Sequence, residues 1–184
     1  MKRLTDIVLS LLALVLLSPV LLVTLLAIWM DSGSPVFFRQ TRVGRGGQEF
    51  GMFKFRSMVR NAATTGPYFT EANDVRITRV GRFIRRTSID ELPQIINVLI
   101  GHMSLVGPRP DVPEQRALYS ADDWALRCTV RPGITGLAQV KGRSEVTWEW
   151  RLSLDLSYVG QASWWFDIQI MWWTLCQLGG KQAN

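Results

Sequence analysis

The stretch RRTSIDELPQIINVLIGHMSLVGPRP, residues 85–110, sets two adjacent carboxylates, Asp90 and Glu91, among cations. Arg82, Arg85 and Arg86 precede them, and Arg109 returns on a loop stiffened by Pro108 and Pro110. Carboxylates held among guanidinium groups are expected to stay ionised, with their pKa values pushed down. An ionised acid is a poor proton donor at neutral pH, but it suits Mg2+ binding or nucleophilic attack on phosphorus. Arginines beside it can hold an anionic phosphoryl group and offset charge during its transfer. Ser88-x-x-Glu91 also has the spacing of a capping box, and acids in a first turn complement the helix dipole. Alone, that tetrapeptide would make the two acids helix starters. The surrounding arginines point to phosphoryl chemistry.

Other chemistries lack their residues. His102 is the one histidine, which excludes a His pair or a multi-histidine metal site, and it is expected at the surface. Cys128 and Cys176 form no disulfide framework or zinc site and read as packing residues in a reducing compartment. The loop Gly44-Arg45-Gly46-Gly47, with Lys54 and Arg56 beyond it, offers backbone donors and cations to phosphate but lacks the Walker pattern. Asp155 is expected to cap or pair within its own helix.

The elements that must position these groups divide at about residue 34. Residues 1–34 form an apolar head and 35–184 one basic domain, a length suited to a single core. No charge occurs from Ile7 to Met30, a run long enough for a transmembrane helix, which needs about 20 apolar residues. Two features favour a re-entrant helix instead. Ser18-Pro19 falls mid-run, where proline removes a hydrogen bond and clashes with the preceding turn. Both flanks are basic, Lys2 and Arg3 before it and Arg39, Arg42 and Arg45 after it, so both are drawn to the cytoplasmic face. At the other end, SWWFDIQIMWWT places Trp165, Ile168, Trp172 and Leu175 on one helical face, as an amphipathic helix at the headgroup boundary would.

Between these ends the pattern is mixed α+β, helix-dominated with little sheet. Residues 35–58 read as a hairpin around the glycines, and 59–76 as a short helix then a loop. Residues 78–86 form a short basic helix or turn, and 88–101 a mostly apolar helix. A proline-stiffened loop follows at 105–113, a helix at 114–128, a loop at 129–143 and another helix at 147–160. Of 21 cationic residues 17 are Arg, whose planar fork suits phosphate-bearing ligands or anionic headgroups. The net charge of +6 would allow nucleic acid, but no nucleic-acid motif occurs and a membrane segment argues against it.

Several long motifs, in order, carry a resemblance that runs nearly end to end. They are the apolar helix with Ser18-Pro19, QTRVGRGGQEFGMFKFRSM (40–58), RRTSIDELPQIINVL (85–99), MSLVGPRP (103–110), RPGITGLAQVKGR (131–143) and LDLSYV (154–159). The chain resembles a bacterial sugar transferase of the monotopic phosphoglycosyl transferase family. Larger relatives carry a further multi-span N-terminal region, so this sequence is expected to act as a near-minimal catalytic unit.

The resemblance implies transfer of a sugar-1-phosphate from a UDP-sugar to a polyprenyl phosphate at the cytoplasmic face of the bacterial inner membrane, with release of UMP. That would be the first membrane step of a surface glycan: an exopolysaccharide, O-antigen, capsule or glycoprotein glycan. It makes Asp90 the nucleophile that forms a phosphosugar intermediate, with Mg2+ assisting at Asp90 and Glu91. Glu91 is either a metal ligand or an aid to acceptor deprotonation. Arg85 and Arg109 are implied phosphate contacts, and Lys54 and Arg56 would hold the nucleotide or the membrane surface. Arg131 and Arg143 flank a glycine-rich loop, where a uridine or phosphate contact and a structural ion pair are equally open. His102 stands where the family is often acidic, and Ser144 where Asn is common. Further partners open to such a chain are membrane lipids, a second copy and downstream glycosyltransferases. A different class of reading, a non-catalytic adaptor binding anionic lipid, has no need of the Asp-Glu pair.

Overall fold

The computed structural model describes residues 1–62, 74–142 and 147–178. A 31-residue helix, α1 (Lys2–Ser32), opens the chain with Pro19 inside it. The break expected at Ser18-Pro19 does not interrupt the helix. Proline costs about 3 kcal/mol in a helix interior, and apolar arms of good helix formers on both sides propagate past that cost. The Ser18 hydroxyl donates to the Val15 carbonyl at 2.8 Å, a bond made within the helix itself.

The helix is held at both ends and bare between. Its buried residues are Asp6, Ser10, Thr24 and Ile28. Asp6 and Thr24 are five full turns apart at 3.6 residues per turn, so the four share one face. At the first turns, Arg3 donates to the carbonyls of Val98 (2.6 Å) and Leu99 (2.8 Å). Asp6 accepts from the Ser104 hydroxyl at 2.9 Å and the Leu105 N–H at 3.1 Å, and Lys2 pairs with Asp167. At the last turns, Ile28 packs with Phe55 and Ile84, and Arg56 donates to the Ser32 carbonyl at 2.9 Å. Leu11, Leu12, Val15, Leu16, Leu22 and Val23 lie exposed between those ties.

Strands β1 (Phe37–Val43) and β2 (Glu49–Phe55) form the expected hairpin, with Phe38 opposite Lys54 and Arg42 opposite Phe50. Its turn, Arg45–Gly47, needs glycine at 46 and 47, where φ is +67° and +74°. Phe50 and Met52 pack on Val98 and Met103. The outer edge of β2 is completed by a side chain. Asn97, fully buried, accepts from the Phe53 N–H at 2.9 Å and donates to the Gly51 carbonyl at 2.8 Å.

The expected short basic helix is α2 (Arg79–Arg86), with Thr78 accepting from the Gly81 N–H at 2.9 Å as its N-cap. The single helix expected over 88–101 is instead a 3-10 turn, Ile89–Glu91, followed by α3 (Gln94–Leu99). Ser88 makes no capping hydrogen bond; its φ is +56°, so it is a left-handed residue that ends α2 and reverses the chain.

Beyond α3, β3 (Ser104–Val106) pairs in parallel with β4 (Gly133–Thr135). Residues 114–128 hold two elements where one helix was expected. A 3-10 turn, Pro113–Leu118, gives way to α4 (Ala121–Arg127), because Ser120 caps a new helix by accepting from the Asp123 N–H. The stretch 129–143, read as loop, contains β4 and α5 (Leu137–Lys141), elements too short to show a period. Helices α6 (Trp148–Gln161) and α7 (Trp164–Leu178) finish the description, with Val106, Leu137, Val140, Tyr158 and Ile170 in the core beneath them. On α7 the expected aromatic face is outward: Trp165, Trp172 and Leu175 are exposed. A carboxylate, Asp167, lies on the buried side, where it accepts from the Tyr158 hydroxyl at 2.7 Å. Most of the expected helix and loop at 59–76 lies outside the described residues.

Candidate active site

The 3-10 turn after Ser88 presents Asp90 and Glu91 between α2 and the hairpin. Lys54, near the end of β2, donates to Glu91 Oε1 at 2.8 Å, and Arg109 Nη2 donates to the same oxygen at 2.8 Å. Asn97, one turn into α3, holds β2 by its backbone beside Lys54, so one short segment fixes both the acids and the lysine that faces them. Arg85, in the last turn of α2, lies close enough for its charge to act on Asp90.

The two acids were expected to behave alike, and they do not. Burial works against ionised Glu91, but the charges of Arg109 and Lys54 and their hydrogen bonds outweigh it and hold the carboxyl at about 2. Asp90 is moved the other way. It is buried, and loss of water raises its pKa; Lys54 and Arg85 pull down, while the neighbouring charge of Glu91 pushes up. The correction has a geometric cause: Lys54 and Arg109 spend their hydrogen bonds on Glu91, and among the described residues Asp90 makes no ion pair. Two carboxylates whose environments drive their pKa values apart can take different roles, one a fixed charge and the other a more basic nucleophile.

Glu91 should leave a mark on stability. Its folded pKa of about 2 lies below the ordinary 4.5, so the ionised form supports the fold above pH 4.5, and that support drains away as pH falls toward 2. Glu91→Gln is expected to flatten the acid limb of thermal unfolding in that window, a difference of about 2 kcal/mol after allowance for partial exposure. Scans of both proteins from pH 7 to pH 3 measure it, and coincident acid limbs would contradict it.

Asp90 and Glu91 also suit a divalent cation of the Mg2+ type, which takes one or two carboxylates together with substrate phosphates and water. The donor set fits: among the described residues Asp90 is in no ion pair, and Lys54 and Arg109 both bond Glu91 at Oε1. Among the described residues no group of three or more His, Cys, Asp or Glu side chains gathers to form an all-protein cage.

The loop bearing Arg109 is backed by buried charge. Asp111, 1% exposed, forms an ion pair with Arg127 Nη1 at 2.8 Å and accepts from Arg151 Nη2 at 2.8 Å and from the Tyr119 hydroxyl. Arg127 also reaches Asp155 at 3.0 Å. Asp155 therefore pairs from α6 to α4, not within its own helix. Arg42 is a further cation here. Its Nη1 donates to the Pro110 carbonyl at 2.9 Å, and its pKa is lowered, by burial first and by the charge of Arg109 next. Nothing in the spacing of residue 42 marks it as a neighbour of residue 109.

The structure gathers Asp90, Glu91, Lys54, Arg85 and Arg109. It places other expected contacts elsewhere. Arg56 is buried, and its Nη2 serves the carbonyls of Ser32 and Gly33 at 2.9 and 2.6 Å, neutralising the end of α1. Arg131 donates to the Gly101 carbonyl at 2.8 Å, beyond the far end of α3 from the acids. Arg143 and Ser144 lie outside the described residues. The Gly44–Gly47 loop sits at the opposite end of the hairpin from Lys54. Its Gly46 N–H is spent on the Cys128 carbonyl and its Gly47 N–H on the Gly44 carbonyl, so it offers no cradle to phosphate. It lines instead a cleft of 540 Å3 with Trp124 and Cys128. His102 is exposed against Phe50, and Cys128 is a packing residue whose thiol pKa burial raises.

Comparison with known proteins gives this geometry a setting. A family profile described as bacterial sugar transferase matches residues 1–180. An Escherichia coli K12 protein named UDP-glucose:undecaprenyl-phosphate glucose-1-phosphate transferase is 47% identical over 95% of this chain and 39% of its own length. An Aeromonas hydrophila protein named UDP-N-acetylgalactosamine-undecaprenyl-phosphate N-acetylgalactosaminephosphotransferase is 42% identical over 95% of this chain and 42% of its own. The Bacillus subtilis uncharacterized sugar transferase EpsL is 42% identical over 100% of this chain and 92% of its own. The chain thus spans about two fifths of the length of the two enzymes with named substrates.

Proposed function

The chain belongs to the bacterial sugar transferase family, and from that premise we propose that it moves a sugar-1-phosphate from a UDP-sugar to a polyprenyl phosphate, releasing UMP. The observation that carries this reading is the division between the two acids: a buried, more basic Asp90 beside a Glu91 held ionised by Lys54 and Arg109. In the first step an Asp90 carboxylate oxygen attacks the phosphorus that bears the sugar. The new O–P bond forms as the bond to the UMP oxygen breaks, and UMP leaves with that electron pair. In the second step a phosphate oxygen of the polyprenyl acceptor attacks the same phosphorus and restores the Asp90 carboxylate. Arg85, Arg109 and Lys54 hold the phosphoryl oxygens and offset their charge. Mg2+, held by Asp90 and Glu91, would supply charge neutralisation at the diphosphate. With its pKa at about 2, Glu91 is a weak base, which favours a metal-ligand or fixed-charge role over acceptor deprotonation.

Both substrates fit a membrane-surface enzyme, and α1 supports one. A bilayer core is about 30 Å thick, so the ends of a spanning helix lie on opposite sides. Here Asp6 and Arg3 at one end and Ile28 and Ser32 at the other are bound to one domain. A domain on one side can keep both ties only if the helix does not cross the bilayer, so that its bare middle and the exposed Trp165 and Trp172 meet lipid from one side. In a chain with Cys128 and Cys176 replaced, Leu4→Cys and Ser34→Cys are expected to react with an impermeant maleimide only after cells are opened. Labelling of one position from outside would establish a span.

The reaction is tested by incubating the purified protein with undecaprenyl phosphate, Mg2+ and, in turn, UDP-glucose, UDP-galactose and UDP-N-acetylgalactosamine, scored by UMP. Release with one sugar supports the reading and names the donor; no UMP from any of a broad panel overturns it.

A further inference from the structure

Four consecutive backbone carbonyls, from Pro108 to Asp111, each accept a hydrogen bond. Gly133 N–H donates to the Pro108 carbonyl at 2.9 Å, and Val43 N–H donates to the Asp111 carbonyl at 2.9 Å. The two between are held by side chains: Arg127 Nη2 donates to the Arg109 carbonyl, and Arg42 Nη1 donates to the Pro110 carbonyl at 2.9 Å. The rings of Pro108 and Pro110 fix φ at those residues. What remains free in such a loop is the orientation of each peptide plane, and the carbonyl bonds fix that.

The donor at Arg109 is an unexpected group to bury. Arg127 is 5% exposed, with Asp111 and Asp155 each 1% exposed around it. A buried ionic cluster is a poor source of net stability, because desolvation offsets most of the attraction and an apolar replacement often does as well. It does have one capacity that an apolar group lacks. A guanidinium carries five donors in a rigid fork. Arg127 uses three of its nitrogens at once, Nη1 on Asp111, Nε on Asp155 and Nη2 on the Arg109 carbonyl. The two carboxylates fix the fork, and the fork fixes the loop.

We propose that Arg127 is a positioning residue for Arg109: locked by Asp111 and Asp155, it sets the backbone from which the Arg109 side chain reaches Glu91 and the phosphoryl group. This rests on the reaction proposed above. The Arg109 side chain is 42% exposed, and among the described residues Glu91 is the one side chain it bonds, so its backbone must set its place. If the carbonyl tether is lost, the guanidinium keeps its charge and loses its address.

A double-mutant cycle separates this role from plain support of the fold. Arg127→Gln is expected to lower kcat/KM at least tenfold when Arg109 is present, and less than threefold in an Arg109→Ala background. The fall in thermal midpoint should be the same in both backgrounds. Single-turnover UMP release gives the comparison if Arg109→Ala is too slow for steady-state assay. Asp155→Asn frees one arm of Arg127 without emptying its place, and it gives the same cycle should Arg127→Gln fail to fold. Equal activity losses in both backgrounds would overturn the proposal and leave Arg127 a structural residue. Wild-type activity in Arg109→Ala would instead overturn the phosphate-binding role of Arg109 in the reaction itself.

Discussion

Asp90→Asn is expected to release no UMP from any UDP-sugar, at least about 10^3-fold below wild type, while remaining folded. The amide matches the carboxylate in shape but has no charge with which to attack phosphorus. Its effect on stability should have the opposite sign. Burial makes ionised Asp90 costly, as its raised pKa shows, so a neutral side chain in the same place should leave the thermal midpoint unchanged or higher near neutral pH. Lost activity with undiminished stability identifies a residue kept for chemistry. Mass spectrometry of protein incubated with UDP-sugar and no acceptor should find a sugar-phosphate on the peptide containing Asp90, and no such adduct in the variant. A turnover near wild type in Asp90→Asn would remove the covalent step. A non-catalytic lipid-binding adaptor would be indifferent to the change.

Gly133→Ala is expected to cost about 3 kcal/mol of stability and most of the activity. A Cβ at residue 133 would lie 2.1 Å from the Gly107 nitrogen and 2.4 Å from the Thr135 carbonyl oxygen, both backbone atoms that cannot swing away. Gly107 is equally confined, with its own Cβ position 2.3 Å from the Arg131 carbonyl oxygen. The parallel pair β3–β4 therefore closes only without side chains at this crossing. Prying it open lengthens the bond from Gly133 N–H to the Pro108 carbonyl and shifts the loop that carries Arg109. Urea unfolding and UMP release on one preparation check both parts. Ala138, on the adjoining helix, makes a control: replacing a buried alanine by glycine there should cost about 1 kcal/mol and leave the reaction largely intact.

The sequence announces the hairpin because apolar alternation and turn glycines are local signals, and it places α6 to within one residue at each end. It also announces Asp90, Glu91, Lys54, Arg85 and Arg109, because those residue types crowd into recognisable motifs. Other features are silent for physical reasons. Ser88 and Glu91 have the spacing of a capping box, yet the same serine serves a left-handed turn, since spacing does not specify φ. The raised pKa of Asp90 depends on burial and on which acid captures the cations, neither of which a pattern of charges reveals. Asn97, Arg127 and Arg42 act on backbone 18 to 68 residues away, so no window of sequence contains both partners. Arg56 and Arg131 look like phosphate ligands by type alone. An arginine meets carbonyl oxygens at a helix end with the same donors it would offer a phosphate.

The tie between Lys2 and Asp167 spans 165 residues, and the bond from Trp164 to Thr5 spans 159. Translation makes Lys2 and Thr5 well before their partners, which follow 165 and 159 residues later. While the chain is being made, the start of α1 exists with Asp167 and Trp164 still unsynthesised. Loop closure over such a distance is also a late and slow kind of contact. Assembly thus resembles a clasp with two catches: the start of α1 can meet Val98, Leu99, Ser104 and Leu105 first, and α7 closes it through Lys2 and Thr5. Ribosomes stalled before residue 164 should leave the first turn of α1 more open to proteases than it is once α7 has been made.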